Sequence, residues 1–218
     1  MRTTRTRDGR VAALLSEAGT TYAEEAGIRV ADRPAPLWQL SVLSNLTATR
    51  IKASIAVHAA RELFDAGGGT PAGMTELTWQ QRVDALGRAH YVRYDEGTAT
   101  RLGACADLVR ERYRGDLRRL AGDADGRRER VEELLRAFPG IGPSGARIFC
   151  REAQGIWPFL RPVLDRKALD GADRVGLPTS SEALAALVEE DDLPRFAAAL
   201  VRVALDRGLA DRVRAAAS

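Results

Sequence analysis

Cysteine is nearly missing from this sequence: its 218 residues hold two, Cys105 and Cys150. Two thiols in a chain of this length make no disulfide framework, which argues against a secreted disulfide scaffold. Lysine is as scarce, with Lys52 and Lys167 the only two, so arginine supplies nearly all the positive charge. Arginine's planar fork suits phosphate better than an ammonium does, although compositional bias accounts for most of the arginine and alanine richness. No apolar run approaches the length of a membrane span, and no signal-peptide core follows the basic start, so an intracellular, cytoplasmic protein without membrane contact is expected. Alternating strand patterns and internal repeats are also missing. Charge is almost balanced, with a net +3 and a pI near 9.2, which is compatible with nucleic-acid binding but does not require it.

What is present is helical periodicity. Apolar residues are 45% of the chain and charged residues 29%, enough for one large or two small domains with a real core. Residues 1–10 carry Arg2, Arg5, Arg7 and Arg10 with no apolar period, and read as a mobile basic arm. Val11 to Ala26 reads as a helix, and residues 31–36 as a linker of helix breakers. Leu37 to Phe64 reads as two helices, with the small polar run Ser44 to Thr49 between them. A short helix over Thr75 to Leu86 is capped by Thr78 or Thr75. A long one over Ala99 to Leu120 has Leu102, Cys105, Ala106, Val109 and Tyr113 inward. Arg101, Arg110, Arg112 and Arg114 form its solvated face. Pro194 to Arg207 is a strongly apolar final helix.

The most informative stretch is Val131 to Asp165. Leu134, Leu135 and Phe138 fit one face of a helix that Pro139 must end. Gly140 and Gly142 lack a Cβ and admit positive φ or a close neighbour. Pro143 suits a first helical position, and Ser144 to Gln154 continue as a second helix with Ala146, Ile148, Phe149 and Ala153 inward. The free N–H groups and positive dipole end of that helix favour an anion. From the turn alone, an αα-hairpin whose glycines serve only packing is an equal reading.

The flanking pattern separates the two. Phe138-Pro139-Gly140-Ile141-Gly142-Pro143-Ser144-Gly145-Ala146, then Gly155-Ile156-Trp157-Pro158, then Pro162-Val163-Leu164-Asp165, resembles the helix-hairpin-helix/GPD superfamily of DNA glycosylases, the endonuclease III-like proteins. The resemblance spans roughly Leu37 to Leu177 and is specific in the hairpin–aspartate unit. It implies an all-α, two-lobed fold, with one lobe over 35–121. The other joins 11–34 to 127–218 and contains the hairpin (131–154) and the Asp165 loop. It also implies a monomer that holds double-stranded DNA across the cleft.

Residue by residue, the resemblance implies backbone amides at Gly140, Gly142, Ser144 and Gly145 on a DNA phosphate. The carbonyls of Arg136, Phe138 and Ile141 would hold a monovalent cation. Asp165 would be the carboxylate that drives cleavage of the N-glycosidic bond of a flipped base. Asp165 is equally suited to cap the helix after it, and the two roles are compatible. Asn45, with Thr47 second, matches the position that fills the gap left by the flipped base, and a plain helix-capping loop is the competing reading. Lys167 could bind phosphate. Trp38, Tyr91, Tyr94 and Trp157 are the aromatics available to stack on a base.

Two departures refine the expectation. The hairpin lysine of lyase members is replaced by Ser144, which points to a monofunctional enzyme without Schiff-base chemistry. The four cysteines of the iron–sulfur cluster are missing, so no such cofactor can form. A non-catalytic helix-hairpin-helix DNA-binding protein is the alternative.

Overall fold

The computed structural model describes residues 9–216. Residues 1–8, most of the expected basic arm, lie outside the described residues, and Gly9 and Arg10 begin the first helix. In chain order the helices are α1 (Gly9–Ala18), α2 (Tyr22–Glu25), α3 (Pro34–Thr47), α4 (Ala53–Leu63), α5 (Pro71–Glu76), α6 (Trp79–Arg88) and α7 (Asp95–Tyr113). After them come α8 (Arg118–Asp123), α9 (Arg128–Leu135), α10 (Pro143–Ala153), α11 (Arg166–Arg174), α12 (Ser181–Ala185), α13 (Leu193–Leu205) and α14 (Arg207–Ala216). No strand occurs among the described residues, so the all-α expectation holds. No helix among them is long and apolar enough to cross a membrane.

Local chemistry explains where the helices begin and end, and corrects three expectations. Residues 34–36 do not form a linker: Pro34 and Pro36 sit in the first turn of α3, where a missing N–H costs nothing. The polar run from Ser44 does not interrupt α3 either. Ser44 and Thr47 donate their hydroxyls to Leu40 O and Leu43 O at 2.8 Å each. Small hydroxyl residues can continue a helix this way, and the break comes only after Thr47. Conversely, the helix expected over 11–26 is broken after Ala18. There Arg195 Nε donates to Gly19 O, and the Arg202 guanidinium to Thr20 O. These arginines on α13 satisfy carbonyls that a continuous helix would have used itself. Thr78 is the cap of α6, closing a reciprocal box with Gln81. The long helix α7 stops early because Arg114 and Gly115 take positive φ, 52° and 77°.

The chain divides into two compact units. One joins the described parts of 1–21 and 161–218, and the other is 22–160. In the first unit α13 is central: Phe196, Ala199, Leu200 and Val203 are fully buried, and α11, α1 and α14 pack against it. The closest crossing is at Gly171 on α11, where a Cβ would fall 1.9 Å from Leu200 O. Only a residue without a side chain lets two backbones approach so closely.

In the second unit α3 pairs with α4 and α10, while α5 and α6 lie on α7. Trp38, Leu40, Leu43 and Leu46 of α3 are buried in that core with Leu102, Ala106 and Val109 of α7. The hairpin therefore belongs to the same unit as α3–α7, which extends to residue 160. The reason is burial: α10 presents Ala146, Phe149, Cys150 and Ala153 inward, and α3 supplies the matching apolar side.

Gly171 tests this arrangement. Gly171→Ala should cost about 1–3 kcal/mol, the scale of overpacking, read as a lower urea midpoint at unchanged m-value. A midpoint equal to wild type would contradict the close α11–α13 crossing.

Candidate functional site

The hairpin is built as its sequence suggests. Helix α9 ends after Leu135, and Leu134, Leu135 and Phe138 are buried. Ile141 N–H donates to Phe138 O at 3.0 Å, closing a tight turn around Pro139 and Gly140. Gly140 has φ 84°, the left-handed region that favours glycine. Gly142 is the N-cap of α10 and contributes no side-chain cap. The N–H groups of Ser144 and Gly145 therefore lie in a first helical turn with no carbonyl four residues back to accept them. Gly140, Gly142, Pro143 and Ser144 are exposed, whereas Gly145 is buried. A Cβ on Gly145 would sit 3.2 Å from Ile141 Cγ2 and 3.5 Å from Ser44 O. The missing side chain of Gly145 therefore serves the packing of α10 on α3, and the three residues before it, Gly142, Pro143 and Ser144, complete an open first turn.

The turn is held from behind by a buried polar cluster that sequence reasoning missed. Asn45 Nδ2 donates to Pro139 O at 2.9 Å, and Cys105 Sγ donates to the same carbonyl at 3.2 Å. Burial pushes the Cys105 thiol up to about 12, so at neutral pH it keeps its proton and remains a donor. Arg101 reaches the same turn from α7. A Cβ on Gly140 would meet Arg101 Cδ at 2.7 Å and Asn45 Nδ2 at 2.9 Å. One carbonyl thus ties three elements together: the hairpin, α3 and α7.

This placement changes the reading of Asn45. It is 1% exposed and its amide is engaged inside the protein, so it does not project as a gap-filling side chain would. Its carboxamide oxygen is buried and accepts no hydrogen bond. Thr47 is half-buried and donates to Leu43 O, which makes it part of its own helix. The aromatics expected to stack on a base are mostly core. Trp38 is fully buried and donates to Gly68 O at 2.9 Å. Tyr91 is fully buried, with its hydroxyl 2.9 Å from Thr49 Oγ1. Trp157 is 4% exposed, donates to Asp32 Oδ1, and lies 5.8 Å from the Phe149 ring. Tyr94 alone is partly open, under the Arg93 guanidinium at 5.3 Å.

In the other unit, Asp165 is half-buried and is the N-cap of α11, accepting Ala168 N–H at 3.0 Å. Val163 and Leu164 before it are buried, and Ser181 Oγ donates to Leu164 O at 3.2 Å. The carboxylate is thus fixed by its own helix and by a braced loop. Lys167 is exposed and 3.4 Å from Asp170 Oδ2, in a cluster where Arg166 also pairs with Asp170 at 3.2 Å. Those partners, the Arg166 hydrogen bond above all, hold the Asp170 carboxyl below its ordinary range.

The chemistry of metals and clusters can be read from the same residues. Cys105 and Cys150 are both buried, and two thiols do not supply the four ligands of an iron–sulfur cluster. Among the described residues, no group of three or more His, Cys, Asp or Glu is placed to hold a metal ion. Of the hairpin carbonyls, that of Phe138 already accepts Ile141 N–H, which leaves one lone pair.

No protein family matches the sequence, and no curated protein does. Solved structures do resemble the fold. A non-covalent endonuclease III–DNA complex superposes with a TM-score of 0.50 at 12% identity, over 78% of this chain and 72% of that one. A trapped endonuclease III–DNA covalent intermediate, an estranged-adenine complex, gives a TM-score of 0.49 at 13% identity over 84% and 82%. The likeness is one of fold: the all-helical architecture is endonuclease III-like.

The buried cluster makes a specific prediction. Asn45→Ala should destabilise the protein by about 1–3 kcal/mol, as expected for a lost buried donor. It should also speed hydrogen exchange at the Ile141 amide more than at amides in α13. Uniform acceleration across both units would contradict a local clasp.

Proposed function

We propose that this protein is a monofunctional DNA glycosylase-like base-excision protein acting on double-stranded DNA. The observation that carries the reading is the exposed, glycine-pinned turn with free N–H groups at the start of α10. Such a turn is suited to one backbone phosphate, because oriented amides and the helix dipole act together on an anion. Gly140 shapes the turn, and the amides of Gly142, Ser144 and Gly145 are the groups offered. The Arg136, Phe138 and Ile141 carbonyls would hold a monovalent cation, which would add positive charge at the turn. The endonuclease III-like fold supports the reading.

Asp165 is the residue assigned to the chemistry. Removing a base leaves positive charge on the sugar as the N-glycosidic bond lengthens, and a fixed carboxylate stabilises that charge more in the transition state than in the ground state. Solvent supplies the attacking water and the proton that the departing base takes up. Asp165 is held by its cap to Ala168 N–H, so little reorganisation is needed when charge develops. Ser144 stands where a lyase would carry its amine, and a hydroxyl forms no Schiff base.

One observation favours a second reading, a non-catalytic DNA-binding hairpin protein. The Asp165 carboxylate already has a structural role as an N-cap, which by itself explains an aspartate there.

A single substitution separates the two. Asparagine also caps well, so Asp165→Asn should leave the thermal midpoint and duplex affinity near wild type. On the oligonucleotide that the wild type cleaves best, among uracil, alkylated purines, 8-oxoguanine and mismatched adenine, base release should fall by about a hundred- to a thousandfold, the scale of losing a transition-state electrostatic contact. Unchanged release would refute the assignment of Asp165. No release from any of these substrates by the wild type, with duplex binding retained, would favour the second reading. Borohydride should trap no covalent protein–DNA adduct, and a robust adduct would refute the monofunctional mechanism.

A further inference from the structure

Arg101 is unlike the other arginines of α7. Arg110, Arg112 and Arg114 are exposed, but Arg101 is half-buried. Its Nη2 donates to Thr98 Oγ1 at 2.7 Å, and Thr98 is fully buried. The guanidinium also lies over Gly97, where a Cβ would come 3.2 Å from Nη1. At the other end, its Cδ and Nε cover Gly140, at 2.7 and 2.9 Å from the position a Cβ would take. No carboxylate among the described residues pairs with it.

A half-buried guanidinium with only a neutral hydroxyl partner is undercompensated. Its other N–H groups and its full charge pair with no carboxylate among the described residues. Its head is held by Thr98 beside Gly97, and its stem lies against Gly140. Beside it, the buried Asn45 carboxamide lies against the same glycine with its oxygen unpartnered. The hairpin residues from Arg136 to Arg147 contribute no acidic side chain that could serve as its counterion.

We propose that Arg101 is a phosphate ligand of the hairpin, placing a fixed guanidinium on the same strand phosphate that the turn's N–H groups hold. The inference rests on the DNA-binding reading above and adds to it a charge from outside the hairpin. The backbone amides supply direction and Arg101 supplies the full charge, so the contact is stronger than amides alone would make it. Gly140 leaves room for the Arg101 stem at the turn, and Gly97 leaves room for its head.

The test is the salt dependence of duplex affinity for the full chain, by fluorescence anisotropy. Each neutralised phosphate contributes a slope of about −0.9 in log K against log salt. Arg101→Gln should make the slope shallower by about one. At low salt it should weaken binding by about tenfold, the scale of one charge-assisted contact. Arg101→Lys should restore the slope, because the charge returns. Arg110→Gln, on the exposed side of the same helix, should leave the slope unchanged. An equal change in Arg101→Gln and Arg110→Gln would reflect general loss of positive charge and overturn the proposal. A lower thermal midpoint for Arg101→Gln with an unchanged slope would make the residue structural and also overturn it. Displacement of the duplex by inorganic phosphate at constant ionic strength would make the site one for a free anion, which overturns the proposal as well. A wild type without salt-dependent duplex binding would overturn the DNA-binding reading and this inference together. A steep wild-type slope that Arg101→Gln keeps would overturn this inference alone.

Discussion

The Pro139 carbonyl is the point on which the hairpin depends. It accepts from Asn45 on α3 and from Cys105 on α7, so two packed helices hold one loop atom from inside the core. A backbone carbonyl at a surface turn would ordinarily be satisfied by water and left mobile. Here it is drawn inward, and that fixes the next residue, Gly140, in its left-handed conformation. The outward side of the turn is left as bare N–H groups, with no capping side chain to compete for them. Preorganisation of this kind removes the ordering cost that a loose loop would incur on binding an anion.

The same constraint explains the residue types around the turn. Position 140 excludes a Cβ twice over, by φ and by the Arg101 stem. Position 145 excludes a large side chain because α10 crosses α3 there. Position 105 takes a small side chain that is apolar enough to bury and still carries a proton, which burial keeps in place by raising the thiol. Asp165 follows a parallel logic in its own unit, where the cap to Ala168 and the Ser181 bond to the preceding carbonyl leave its loop little freedom.

Much of this was legible in the chain. The breaker string from Pro139 to Pro143 between two apolar-periodic segments marks the hairpin, and Asp165 before a helix marks the cap, because both depend on local backbone chemistry. The long-range assignments were not legible. Asn45 sits in a polar run that reads as a break between helices, and only the packed core shows that α3 continues through it. Arg101 reads as one of four solvated arginines, since periodicity does not register that its stem crosses to a glycine 39 positions later in the chain. The aromatics looked available because exposure cannot be read from type; Trp38, Tyr91 and Trp157 instead fill cores with their polar ends satisfied.

The central claim is that a turn clamped from the inside offers its outward amides to a strand phosphate. Amide-resolved NMR of the full chain, titrated with a short duplex carrying a stable abasic-site analogue, tests it most directly. The account predicts that the amides of Gly142, Ser144 and Gly145 shift strongly and saturate together with the duplex. Saturable binding that leaves those three resonances in place, and moves only amides elsewhere, would contradict it.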